Sequence, residues 1–464
     1  MAAEPGETDA QDGGATSSLD HDASRRAFFR QFGKEAVTTL GQVAGMAGMV
    51  NRVSGSAAAS LLGLTEPATG RPPRPPMRSG RGAALVTSGP LAPAGDHAFR
   101  NAYRISGPEL VLLDQRLIPE KLEDVVARRG SDVAYYLRLG ACRGGAAMAQ
   151  VAAYGLALTA GEREAHPAAA RDAELQRTQG ALASARPSSR LPAWAMERME
   201  SVRAGLDEAT DGAGVAAALR AEADAIATDL QAGHAAIATA LAAWLVEPAD
   251  RPLGVLLHGD PGALSGGLVG TGITALRTLR DEGRELRVFV TETRPFMDGA
   301  RLASWELRQA GIEHKVIADS AVAWLFDRET IDVVLIGAEW IAANGDTGAV
   351  IGSRAIALQA VAMADDADRV RPRIVVCGHS ATIDPLTPDG PAIPVELRPA
   401  RDQAAYLAGL SIRVSDALVP AGDVIPAHAI AALVTEHGVL APPSAQAIGM
   451  LLSSRAGRPP TSPD

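Results

Sequence analysis

Four things are scarce in this sequence, and each scarcity narrows the possibilities. Only two cysteines occur in 464 residues, Cys142 and Cys377, far apart and outside any CxxC spacing. That argues against a disulfide framework and against a zinc site. Aromatic residues make up 4%, so Ala, Val, Leu and Gly carry the apolar surface. Basic charge is in deficit, with 44 Lys and Arg against 54 Asp and Glu and a net charge of −10. Bulk nucleic-acid binding wants a basic field, so no nucleic-acid partner is expected. A local arginine cluster can still hold an anionic small molecule. No run of about eighteen apolar residues appears, so no transmembrane segment is expected.

What is present suits a large soluble protein. The length allows two or three domains, and 47% hydrophobic residues allow a large core. Residues 1–24 are acidic and small, and Ser24-Arg25-Arg26 is the first basic point. A mild apolar stretch follows from Ala36 to Val50. Two readings stand for 25–50: a twin-arginine export signal, or a basic helix that docks on a surface. Lys34 and Glu35 interrupt the apolar region just before this stretch and Gln42 sits within it, which favours the second. Residues 65–98 are rich in Pro and Gly and read as a linker.

The pattern then divides in two. Around 102–118 it reads as a β-hairpin with its turn at Ser106-Gly107-Pro108, and helical periodicity dominates to about 245. From 251 apolar runs recur at 253–257, 286–290, 315–318, 331–336 and 373–377, separated by helix-length amphipathic segments. Such alternation predicts a parallel, doubly wound sheet. The expected fold class is α/β: a mainly helical N-terminal domain over 100–248 and a Rossmann-like domain with a parallel sheet over 249–450. Tails at 1–99 and 451–464 flank them.

In an open parallel sheet, ligands sit outside the carboxyl ends of the strands. The segments after four apolar runs bring His258, Asp260, Glu292, Arg294, Arg301, Glu339, Asn344, Asp346 and His379 to one edge. The Gly-rich stretch Gly262 to Gly272 leads into a helix, where Gly262 and Ala263 are placed to offer backbone amides to an anion. Its spacing is not that of a dinucleotide fingerprint, although Glu292 sits where a ribose-binding acid would be. Bland readings stand beside these. The glycines can simply shape a turn, Asp260 can cap a helix, Glu339 can be a solvated strand-end residue, and His258 and His379 can be structural. Cys142, beside Arg143, reads as a small core residue or as a displaced thiol.

Several motifs then resemble one family. "TETRPFMDGARLASWEL" resembles the Glu-Thr-Arg-Pro…Gly-Ala-Arg-Leu-Thr-Ala-Trp-Glu-Leu motif of the methylthioribose-1-phosphate isomerases and of the alpha, beta and delta subunits of translation initiation factor 2B. "GAEWIAANGD", "LVLLDQRLIP", "CRGGAAMAQVAAYG", "ARPSSRLPAWAMERM" and "IPVEL" resemble isomerase segments in the same order, over roughly 102–445. The resemblance implies a phosphorylated sugar or nucleotide-like ligand, a cytoplasmic location and a homodimer, with no cofactor and no metal. It implies phosphate or substrate contacts at Arg143, Gly144, Arg186 and Arg294, in the Gly-rich loop, and at Asn344 and Asp346.

The family's acid–base pair is altered, however. The Cys position is Gly259, the Asn after it is Asp260, and the catalytic Asp is Glu339 followed by Trp340. The family's Asn-Lys pair reads Ala349-Val350, and another Asn reads Leu191. Glycine cannot act as acid or base, so the family mechanism cannot run unchanged. Asp260 and Glu339, each after a strand, are the expected catalytic pair, and two facing carboxylates would push one pKa up. The competing expectation is a non-catalytic regulator of the initiation factor 2B type.

Overall fold

The computed structural model describes residues 101–363, 369–399 and 418–456. The segment 25–50 and the linker 65–98 lie outside the described residues. The chain opens with an antiparallel meander, β1 (Tyr103–Ser106), β2 (Glu109–Leu113) and β3 (Asp124–Ala127). Its first turn is Gly107-Pro108, with Gly107 at φ 58, a conformation that glycine enters without a Cβ clash.

Five helices follow: α1 (Gly130–Leu139), α2 (Gly145–Glu162), α3 (Ala168–Ala183), α4 (Arg190–Ala204) and α5 (Gly212–Trp244). The stretch 161–185, read from sequence as a surface helix or an insertion, contains α3. Helix α2 is apolar on nearly every side and runs through the middle of the helical core. Its alanines and glycines permit that: a Cβ on Gly155 would lie 3.0 Å from Val133 Cβ. Helix α5 begins at a proper cap, with the Asp211 carboxylate accepting from Gly214 N–H at 2.7 Å. Its first half packs into the helical core and its second half under the sheet.

The main sheet contains β4 (Leu253–His258), β5 (Leu286–Thr291), β6 (His314–Ile317), β7 (Val333–Gly337), β10 (Arg373–Cys377), β15 (Ala432–Thr435) and β16 (Gly438–Leu440). Their spatial order is β16-β15-β10-β7-β4-β5-β6, parallel except for β16. Strands β4 to β7 and β10 lie where the apolar runs predict them. Both faces are covered, which is why these strands read as continuous apolar runs. Leu256, Val334 and Ile336 are fully buried, worth about 1.5–3 kcal/mol each. The order reverses between β4 and β7, which opens a crevice at their carboxyl ends.

A second sheet, β11-β8-β9-β14, stands over those ends: β8 (Trp340–Ala342), β9 (Thr347–Val350), β11 (Ile383–Asp384) and β14 (Gly422–Ile425). A two-stranded pair, β12 (Leu397–Arg398) with β13 (Val419–Pro420), completes the strands. The chain is helical over Ala445–Ala456, past the point where a tail is expected. The Ala-, Leu- and Met-rich run favours helix before Pro459. Among the described residues no helix is long and apolar enough to cross a membrane.

Candidate functional site

The crevice at the β4–β7 switch point is a cleft of about 140 Å³. Arg143, Gly144, Arg186, Asp260 and Glu339 all line it. Glu339 follows β7. Its N–H donates to Gly348 O and its carbonyl accepts from Arg190 N–H, each at 2.9 Å. The backbone is thus held between β9 and the start of α4. The half-buried side chain turns inward, and Oε2 has no hydrogen-bond partner among the described residues. A Cβ on Gly145 would meet Oε2 at 3.3 Å and Ser189 Oγ at 3.0 Å, so these two oxygens share one corner. Ser189 Oγ falls short of hydrogen-bond geometry but favours the anion. Burial raises the Glu339 carboxyl, opposed by Ser189, Arg186 and Arg143.

Asp260 follows β4 through Gly259, at φ 85, whose N–H donates to Thr293 Oγ1 at 3.1 Å. Asp260 Oδ1 accepts from Gly262 N–H at 3.2 Å, while buried Oδ2 lacks a partner among the described residues. Burial raises its pKa well above the usual value, and Glu306 and Asp298 add to this. Gly262 N–H and Arg143 oppose. The carboxylates that act on Asp260 are therefore Glu306 and Asp298. On Glu339 the acidic neighbour is Asp298. The two expected catalytic groups share a cleft, with Asp298 acting on both.

Asp298 is held by a strained loop. Thr293 and Met297 take φ 58 and φ 59, which non-glycine residues rarely adopt. The Asp319 carboxylate offsets this by accepting from Thr293 N–H at 2.8 Å and Arg294 N–H at 2.6 Å. The loop sets the Phe296 ring 4.4 Å from the Arg143 guanidinium and Asp298 Oδ2 2.8 Å from the same group. Asp298 Oδ1 is buried with no partner among the described residues. Arg186, buried, pairs with Glu396 at 3.1 Å. Burial and then Arg143 lower the Arg186 pKa, with Glu396 opposing.

Other expected binding residues lie elsewhere. The amides at the start of the Gly-rich loop already have an anion. Glu306 accepts from Ala263 N–H at 2.7 Å and Leu264 N–H at 2.8 Å, and a Cβ on Gly262 would fall 2.4 Å from its carboxyl. Gly262 and Ala263 thus face Glu306, and the loop meets the cleft through Asp260, Pro261, Ser265 and Thr271. Burial pushes the Glu306 carboxyl up to about 7, opposed by those two amides. The Arg294 guanidinium lies against Met297 Sδ at 3.6 Å, outside the cleft lining. Asn344 and Asp346 build a turn in which Asp346 accepts from Ala427 N–H at 2.8 Å and Gly390 N–H at 2.9 Å, pinning two distant loops. Neither lines the cleft.

His258 is wholly buried and satisfied: Nδ1 lies 2.8 Å from Thr291 Oγ1, and Nε2 donates to Ile351 O at 3.1 Å. Burial lowers its pKa. His379 Nδ1 accepts from Ala381 N–H at 3.1 Å. Cys142 belongs to the helical core, and burial pushes its thiol up to about 12, which removes it as a displaced thiol. Glu292 does not line the cleft, so the nicotinamide reading loses its ribose acid.

The model of the initiation factor 2 subunit family matches residues 141–442. The chain belongs to this family. The methylthioribose-1-phosphate isomerase of Chloroflexus aurantiacus is 38% identical over 349 residues, spanning 74% of this chain and 96% of that relative. The isomerase of Anaeromyxobacter sp. is 38% identical over 346 residues, 74% of this chain and 94% of the relative. Among solved structures, the 5-methylthioribose 1-phosphate isomerase of Pyrococcus horikoshii OT3 shares the fold, with a TM-score of 0.66 at 24% identity, over 77% of this chain and 96% of that one. The translation initiation factor eIF-2B subunit delta of A. fulgidus gives 0.59 at 26% identity, over 75% and 98%.

Within this family frame, sequence reasoning missed Asp298, Ser189, Glu306 and His234. Asp298 and Glu306 lie inside the motif "TETRPFMDGARLASWEL" and Ser189 inside "ARPSSRLP", so the segments were legible although the individual residues were not. His234 sits in mid-helix with no local signal.

Proposed function

We propose that this family member is an aldose–ketose isomerase of a sugar 1-phosphate, with Asp260 and Glu339 as its altered acid–base pair. The observation that carries the reading is the pair of buried, unpartnered carboxylate oxygens at the ends of adjacent strands, in one cleft with two arginines. Opening the sugar ring puts a proton on the ring oxygen and takes one from the hydroxyl on C2, while the C2 hydrogen moves to C1. One acid and one base balance these transfers. Asp260, whose protonated form is favoured by burial and by Glu306 and Asp298, is the acid. Glu339, whose anion is favoured by Ser189, Arg186 and Arg143, is the base. Arg143 and Arg186 anchor the phosphate with the N–H donors they retain beyond Asp298 and Glu396. Asp298 is a positioning residue that fixes Arg143.

The reading further expects a cytoplasmic homodimer, checked by light scattering on the purified protein. Its test is incubation with methylthioribose 1-phosphate or ribose 1,5-bisphosphate, following ketose formation. A second reading, a non-catalytic regulator, is favoured by Gly259, which leaves no side chain where the isomerases carry a thiol. Tight ligand binding with no ketose formed from either substrate would support the regulator and sink the enzyme.

A further inference from the structure

We propose that His234 is a specificity-determining residue of this cleft, its Nε2 accepting a hydrogen bond from a hydroxyl of the bound sugar phosphate. The proposal rests on the sugar-phosphate reading above. His234 stands on α5, is 8% exposed and lines the cleft. Its Nδ1 lies 2.9 Å from the Val269 carbonyl oxygen. A carbonyl can only accept, so Nδ1 carries the hydrogen. A neutral imidazole has one N–H, which leaves Nε2 as a lone pair. Burial, with His379 adding, takes the ring down to about 4, against the Val269 carbonyl and Glu436, so it stays neutral at ordinary pH.

The ring's placement directs that lone pair. A Cβ on Gly266 would sit 2.8 Å from Nδ1 and 3.4 Å from Cε1, so this side of the ring packs on the Gly-rich loop while the residue also lines the cleft. Nε2 has no hydrogen-bond partner among the described residues. The neighbouring His379 is differently committed: its Nδ1 accepts from Ala381 N–H, so its Nε2 bears the hydrogen and faces Glu436 at 3.4 Å. Thr382, whose N–H donates to His379 O at 2.8 Å, also lines the cleft. Its buried hydroxyl is unpartnered among the described residues. A lone pair and an unanswered hydroxyl call for a ligand with polar groups there. A lone pair selects a donor. A sugar O–H supplies one, whereas a phosphate dianion and a thioether sulfur do not.

The test is calorimetry of ribose 1-phosphate, its singly deoxygenated analogues and inorganic phosphate against the full-length protein, His234→Leu and His234→Gln. We expect His234→Leu to weaken ribose 1-phosphate about five- to ten-fold, as for one neutral hydrogen bond. One deoxy analogue should lose the same factor on the wild type and nothing further on the Leu variant. The Gln variant, which keeps an acceptor oxygen, should recover part, and inorganic phosphate should bind all three alike. Unchanged sugar affinity in His234→Leu overturns the inference and leaves the site reading standing. An equal loss of phosphate and every analogue also overturns it, since that marks a structural role. A wild type that binds neither sugar phosphate nor phosphate overturns both.

Discussion

Two places at the carboxyl end of β4 are shaped for an anion or a proton, and they are satisfied in opposite ways. At the start of the Gly-rich loop, the Ala263 and Leu264 amides are met by Glu306, so that place is internally complete. In the corner formed by Asp260, Asp298, Glu339 and Ser189, four polar atoms are buried without a partner among the described residues. Buried polar groups are ordinarily paired. The first place therefore belongs to folding, and the second is the one we propose for a ligand. A glycine-rich turn before a helix shows only that an anion fits there, and the chain itself can supply that anion.

The sharpest way to break this contrast is Glu339→Gln. It keeps size and removes proton transfer, so turnover should fall about 10²–10⁴-fold with ligand affinity little changed. Unchanged turnover removes Glu339 from the chemistry. Next comes Arg186→Ala, expected to weaken phosphate-ligand binding by about 1.5–3 kcal/mol in calorimetry. A loss below about 0.5 kcal/mol would mean that Glu396 has full claim on this arginine.

Glu306→Gln tests the other place. It should leave an amide poorly met and cost about 1–3 kcal/mol in urea melts, with the sugar-phosphate affinity of the folded protein preserved. The sign with pH follows from the raised carboxyl, which takes its proton more readily in the folded chain than in the unfolded one. Its contribution is therefore full below the usual glutamate value and is lost as pH rises through about 7. The stability gap between wild type and Glu306→Gln should shrink from pH 4.5 to pH 7.5, and a gap that widens contradicts the assignment. The smallest effect is expected for Gly259→Cys. At φ 85 a side chain costs about 1–2 kcal/mol, and the new Cβ would meet Val350 Cγ1 at 3.2 Å. Adding Val350→Ala should recover part of that loss, and no recovery would place the strain in the backbone alone.

The sequence carried the strands plainly, because β4, β5, β7 and β10 are buried on both faces and so read as unbroken apolar runs. It did not carry β8, β9, β11 and β14, which are short and lack such runs, yet they form the wall that holds the Glu339 backbone. Arg143, Arg186, Asp260 and Glu339 could be picked out as cleft-lining residues because each sits in a motif or at a strand end. Asp298 could not, since its meaning depends on Arg143, far away in the chain. Asn344 and Asp346 are a like case: the turn they form is local, but its partners at Gly390 and Ala427 are visible only after folding.

Helix α5 has a mechanical consequence. With 33 residues it is a rod about 50 Å long, embedded at one end among helices and at the other beneath the sheet. His234 stands at the join, next to Gly233, where a Cβ would strike the His379 ring at 2.4 Å. A beam clamped at both ends resists opening of the cleft like a jaw. If a ligand enters this cleft, we expect the change of shape to fall outside α5, among the lining segments Ile393–Val395 and Ala421–Asp423 that it does not carry.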